Sequence, residues 1–199
     1  MKEIIKTAYR IFSKYKAARP LDICTECCMN INNEALLASL PVHDIPKDLL
    51  GKYNDEASTG KTPISELKHF LPRYIELASH FQFPSHSPEL SFKRLTPFDK
   101  SEWTSAELTF LNRFSLEYFK YCLSIYPLPT EYEGIDSILI MLWLGSFDID
   151  TLLEYWKDNN SIESTLHFQY LYFQISNPIN TRKLSNPFGD KFISLKIIN

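Results

Sequence analysis

Glycine is scarce in this chain, with five residues among 199. Loops that cradle phosphates gather glycines so that backbone N–H groups can approach the ligand. So sparse a supply argues against them, and against a sheet joined by many tight turns. Gly60-Lys61-Thr62 ends like a phosphate loop, but position 55, where that motif needs its first glycine, is Asp. Long apolar runs are missing too. The longest block, residues 138–144, falls far below the roughly 18 residues of a membrane span. Charges in Met1-Lys-Glu-Ile-Ile-Lys interrupt the place where a signal peptide needs an apolar stretch. A formal net charge of -3 gives no electrostatic reason to expect nucleic acid, and no dense basic strip is visible. Four cysteines without an export signal favour reduced thiols, so no disulfides and a cytoplasmic location are expected.

What is present is a core. Hydrophobic residues make up 44% and aromatics 14%, enough to bury a sizeable interior without disulfide staples. Apolar residues Ile4, Ile5, Ala8, Ile11, Phe12 and Tyr15 repeat at helical spacing, with Lys2, Lys6, Arg10 and Lys14 on other faces. Arg19-Pro20 ends that first helix, read over residues 1–18. Helices follow over residues 35–40, capped from Asn30 or Asn33, and over 47–57, then a turn at 58–61. Thr62-Pro63 opens a long helix to Phe81. Pro72 lies inside it, predicting a kink or two abutting helices.

A short helix over residues 87–95 is expected to start on Ser87 as its cap. Thr104-Ser-Ala-Glu107 has the form of a capping box and starts a helix to Ile125, with Trp103 as a staple. Residues 135–144 are apolar almost all round and predict a buried central helix; residues 152–156, capped from Asp148 or Asp150, and 162–175 complete the set. The expectation is an all-α single domain over residues 1–175, a multi-helix bundle or irregular array of about eight or nine helices. Residues 176–199 lose the period and form an irregular tail, flexible or packed on the domain, although 193–197 alternate like a strand.

Local spacing suggests chemistry most clearly at Cys24-Thr-Glu-Cys27-Cys28-Met29. Thiolates in a C-x-x-C arrangement close on a metal or on each other. Zinc (or iron) here is half of a four-ligand site, so a fourth donor such as His69, His43, His86 or Cys122 must arrive by folding. A redox pair and plain packing of small soft side chains are the other two readings.

A second constellation, Glu66, His69, Arg73 and Glu76, lies along one side of the Pro72 helix. It predicts a small polar cleft where that helix meets the cysteine connector, or else an Arg–carboxylate bridge. Glu66-x-x-His69 matches half of a di-iron helix pair, but no second E-x-x-H exists in the chain. Pro84-Ser85-His86-Ser87-Pro88 sets serines beside a histidine without any G-x-S-x-G elbow. Tyr155, Trp156, Phe168, Tyr170, Tyr172 and Phe173 read as core aromatics before a stacking platform or interface.

The strings Pro20-Leu-Asp-Ile-Cys-Thr-Glu-Cys-Cys-Met29, His69-Phe-Leu-Pro-Arg-Tyr-Ile-Glu-Leu77, Ser85-His-Ser-Pro-Glu-Leu90 and Asp136-Ser-Ile-Leu-Ile-Met141 are similar to those of a family of bacterial proteins without an established activity. The resemblance spans roughly residues 4 to 175 and implies a bacterial source and no catalytic residue.

No complete catalytic or cofactor constellation emerges. The expected function is therefore non-enzymatic binding of another protein, of the immunity or adaptor type, without nucleic acid or membrane as partner. Glu131, Glu133 and Asp136, or Asp148, Asp150 and Glu154, are acids that suit a basic partner. The alternative is a metal-binding enzyme or sensor built on Cys24, Cys27 and Cys28.

Overall fold

Helical periods written in the sequence become helices along most of the chain. The computed structural model describes residues 1–26, 29–56, 62–130, 134–175, 183–185, 187–188 and 192–194. Among these the fold is all-α: α1 (Lys2–Phe12), α2 (Ile31–Ser39), α3 (Lys47–Asp55), α4 (Ile64–Ser79), α5 (Ser105–Leu123), α6 (Ile135–Leu144), α7 (Ile149–Asp158) and α8 (Ile162–Ile175). Single 3-10 turns occur at Val42–Asp44, Pro88–Leu90, Lys93–Leu95 and Lys100–Glu102. A small antiparallel ribbon pairs β1 (Lys183–Ser185) with β2 (Phe192–Ser194), Leu184 opposite Ile193. Both of those residues are buried with the core.

Residues Ile4, Ala8 and Phe12 recur every four positions and are buried, laying α1 along α4. α5 touches α1, α6, α7 and α8, and α6 is buried nearly all round, as its composition predicts. At the hub, Phe92 meets Phe114 and Phe147 edge-on, with ring centroids 5.8 and 5.6 Å apart. Trp156 lies against Phe119 and Phe168, so these aromatics serve the core, whereas Tyr172 and Phe173 are exposed.

Local chemistry sets the ends. The Asn30 side chain accepts from Asn32 N–H at 2.7 Å, and Asp148 accepts from Thr151 N–H at 3.3 Å. Thr104 and Glu107 form both halves of the capping box.

Three details differ from the sequence expectation. α1 stops at Phe12 rather than residue 18, because Tyr15 leaves the helix to donate its hydroxyl to Glu107, 2.5 Å away. Residues 87–95 form two 3-10 turns: Leu90, Phe92 and Arg94 are all buried at spacings of two, which no single α-helical face collects. Ser87 does not cap the backbone; its hydroxyl donates to the Glu89 carboxylate. Of the two readings at Pro72, two abutting helices give way to a single α4 that carries the proline inside it. Residues 57–61, 131–133 and 195–197, read above as helix end and turn, acidic patch and strand, lie outside the described residues. Among the described residues no helix is long and apolar enough to cross a membrane.

Candidate functional site

Successive residues of a helix point 100° apart, so the polar residues of α4 meet different neighbours. Glu66 faces inward and is 3% exposed. Its carboxylate accepts the Tyr53 hydroxyl at 2.7 Å and the Asp22 N–H at 3.3 Å. Burial pushes its pKa up, and these two donors partly hold it down. Further along, Arg73 donates from Nε to the Ile45 carbonyl (2.9 Å) and from Nη1 to Glu76 (2.7 Å). Tyr9 donates to the same Glu76 oxygen at 2.5 Å, so one bridge ties α1, α4 and the approach to α3 together. Glu66, Arg73 and Glu76 are thus engaged as interhelical staples.

Lys68, between them, makes the arrangement that sequence reasoning missed. Its ammonium is buried and lies 2.8 Å from Glu107 Oε2 and 2.7 Å from the Glu102 carbonyl, and over the rings of Tyr15 and Trp103. Burial would raise the Glu107 pKa. Lys68, the Tyr15 hydroxyl and the Thr104 N–H more than offset this and hold the carboxyl at about 2. The capping box was the available signal for Glu107; nothing local marks Lys68 as its partner.

His69 faces a cleft of about 460 Å³ between α1, the stretch after α2, and α4. Phe12, Leu40 and Val42 give it an apolar lining, and Lys16, His43 and His69 supply polar groups. His69 Nδ1 lies 3.1 Å from the Tyr15 carbonyl. A carbonyl only accepts, so Nδ1 carries the hydrogen and Nε2 keeps its lone pair. Burial lowers the His69 pKa, against the pull of that hydrogen bond, and so favours the neutral ring. Of the four polar residues expected to share a cleft, His69 alone lines this one.

Cys24 is half-buried and is not among the lining residues, while Cys27 and Cys28 lie outside the described residues. Among the described residues no group of three or more His, Cys, Asp or Glu side chains is placed to hold a metal ion. The other donors considered for zinc are spread out. His43 pairs with Asp44 (3.5 Å) and His86 with Asp55 (3.0 Å), and Cys122 is buried in α5, its thiol pKa pushed up by burial. Ser85 and His86 both address Asp55, and Ser87 addresses Glu89, so no serine there has a histidine as base.

Charge is concentrated on α1. Residues 1–19 hold six lysines and arginines against one glutamate, in a chain of net charge -3. Lys14 and Arg19 are spent on Glu107 and Glu34, whereas Lys2, Lys6, Arg10 and Lys16 are exposed and pair with no carboxylate among the described residues. On the acidic side, Glu131 and Glu133 lie outside the described residues and Asp136 is half-buried. Asp148 caps α7, and Asp150 and Glu154 are exposed. No family model, curated protein or solved structure matches the chain.

Proposed function

We propose that this is a non-catalytic protein of the cytosol that binds another protein by seating an acidic, apolar-tipped segment of it in the cleft beside α1. One observation carries the reading: the exposed cations Lys2, Lys6 and Arg10 recur every four residues along α1, and the cleft with its apolar lining opens where that helix ends. Spacing of four keeps the three on one side of the helix. Such a row raises the rate at which an acidic partner arrives, and the apolar lining supplies the anchor that holds it. Lys16 and His43 flank that anchor point, and His69 Nε2 offers an acceptor to a partner N–H or O–H.

Selection from a random-peptide display library on the immobilised protein tests this reading. Selected peptides are expected to place Asp and Glu around one Leu, Phe or Trp and to weaken as salt is raised, because exposed charges are screened over about 8 Å at physiological ionic strength. A library yielding no acidic bias would contradict the proposal. So would a single-stranded oligonucleotide that binds more tightly than every selected peptide.

A further inference from the structure

A second cavity, of about 360 Å³, opens beside Arg94 and is lined also by Asn54, Glu56, Lys93, Phe98 and Glu102. Its volume falls within the range of small-molecule sites. The chemistry around it is incomplete. Arg94 is 9% exposed, and its guanidinium lies 4.2 Å above the Tyr53 ring. Nη2 donates to the backbone carbonyls of Tyr53 and Glu56. Among the described residues, Nε is buried without a partner, Nη1 meets no hydrogen-bond acceptor, and no carboxylate pairs with the charge. Asn54, fully buried, donates to the Leu90 carbonyl at 3.0 Å and to Asp55, but its own Oδ1 has no donor among the described residues. Buried polar groups ordinarily find partners, so an unpaired donor and an unpaired acceptor on two residues that line one cavity point to a ligand with polar groups of both kinds.

The formal charges narrow the class. Among the described residues Lys93 and Arg94 line the cavity with Glu56 and Glu102, two cations and two carboxylates, and Lys93 also lies 3.8 Å from Asp55. A phosphate or other polyanion would meet two carboxylates, and a simple cation would meet two cations. We infer that this cavity binds a small zwitterion with an apolar body, of which a free apolar α-amino acid is the simplest member. Its carboxylate takes Arg94 and Lys93, its ammonium takes Glu56 and Glu102, and Phe98 covers the apolar part. Arginine suits the carboxylate because its donors are numerous and fixed in a plane. The inference is independent of the acidic-segment reading, which concerns the other cavity.

The test uses the full chain and four probes: L-leucine, 4-methylpentanoate (the same body without the ammonium), 3-methylbutylamine (without the carboxylate) and inorganic phosphate. Calorimetry and thermal melting are expected to show L-leucine binding and raising the melting temperature, since a ligand that binds only the folded state stabilises it. Each of the other three probes should bind at least about tenfold more weakly. Glu102 is exposed, so Glu102→Gln should fold normally and lose most of the preference for L-leucine over 4-methylpentanoate. Lys93→Met should weaken L-leucine at least about tenfold while leaving the unliganded melting temperature nearly unchanged. The absence of both binding heat and stabilisation with L-leucine, L-phenylalanine and L-methionine at millimolar concentration would overturn the inference. Phosphate or 4-methylpentanoate binding as tightly as L-leucine would overturn it equally.

Discussion

Lys68 and Glu107 show how one pair of side chains carries several helices. Two buried charges are costly unless each is fully partnered, and here Tyr15, Trp103, Thr104 and the Glu102 carbonyl complete the set. Lys68→Met leaves a buried carboxylate short of its main cation, so chemical denaturation should show a loss of about 3–5 kcal/mol; a loss below about 1 kcal/mol would mean the pair is effectively solvated.

Acid titration gives an independent reading. Glu107 titrates at about 2 when folded and near its ordinary 4.5 when unfolded, so between those values the unfolded chain binds the extra proton. Its contribution is therefore complete above about pH 4.5 and drains away as pH falls toward 2. Denaturation midpoints should fall over that window in the wild type and fall less in Glu107→Gln.

His69 and His167 are expected to titrate below the ordinary histidine value in NMR spectra, because burial disfavours the charged ring in both. Their neutral tautomers should be opposite. His69 donates from Nδ1 to Tyr15, and His167 lies with Nε2 at 2.7 Å from the Ile125 carbonyl. Matching tautomers in long-range nitrogen–proton spectra would refute that assignment.

At the scale of the element, ends and packing are governed by separate rules, and they were unequally legible in the sequence. Helices α1, α5 and α6 could be read because apolar period and caps are local properties of the chain. Residues 87–95 could not, because what turns Arg94 inward is the Tyr53 ring and two carbonyls from about 40 residues earlier. Pro72 left two readings open, a kinked helix or two abutting ones, and the local rule could not choose: α4, buried on nearly all sides, continues through it as one helix.

Two substitutions probe these forces separately. Thr104→Ala removes the side-chain acceptor of the α5 capping box and should cost about 1 kcal/mol. Gly145→Ala would place a methyl 2.8 Å from both the Phe147 ring and Phe92 Cβ, so overpacking should cost about 1–3 kcal/mol. A thermal shift in Gly145→Ala no larger than that of an exposed alanine substitution would show that the aromatic hub yields without strain.

Across the whole molecule, net charge conceals a division. The net charge of -3 gives no reason to expect nucleic acid as a partner, yet six of the 21 lysines and arginines fall in residues 1–19. The His69 cleft was only partly foreseen for a related reason. His69 and Pro72 could be picked out on α4, but Tyr9, Phe12 and His43 reach the same cavity from segments whose meeting depends on tertiary packing. The sequence grouped Glu66, Arg73 and Glu76 with His69 by helical spacing, whereas their partners on α1, α3 and the Ile45 carbonyl draw them into structural bonds.

The central claim is that the α1 cations and the adjoining cleft act together on an acidic segment. Its most direct test is the affinity of one display-selected acidic peptide for the wild type and for a Lys6→Glu, Arg10→Glu double variant, both positions being exposed and outside any ion pair among the described residues. The account predicts an unchanged melting temperature and a loss of affinity of at least about tenfold, mostly through slower association at low salt. Equal affinity for the folded double variant would contradict it.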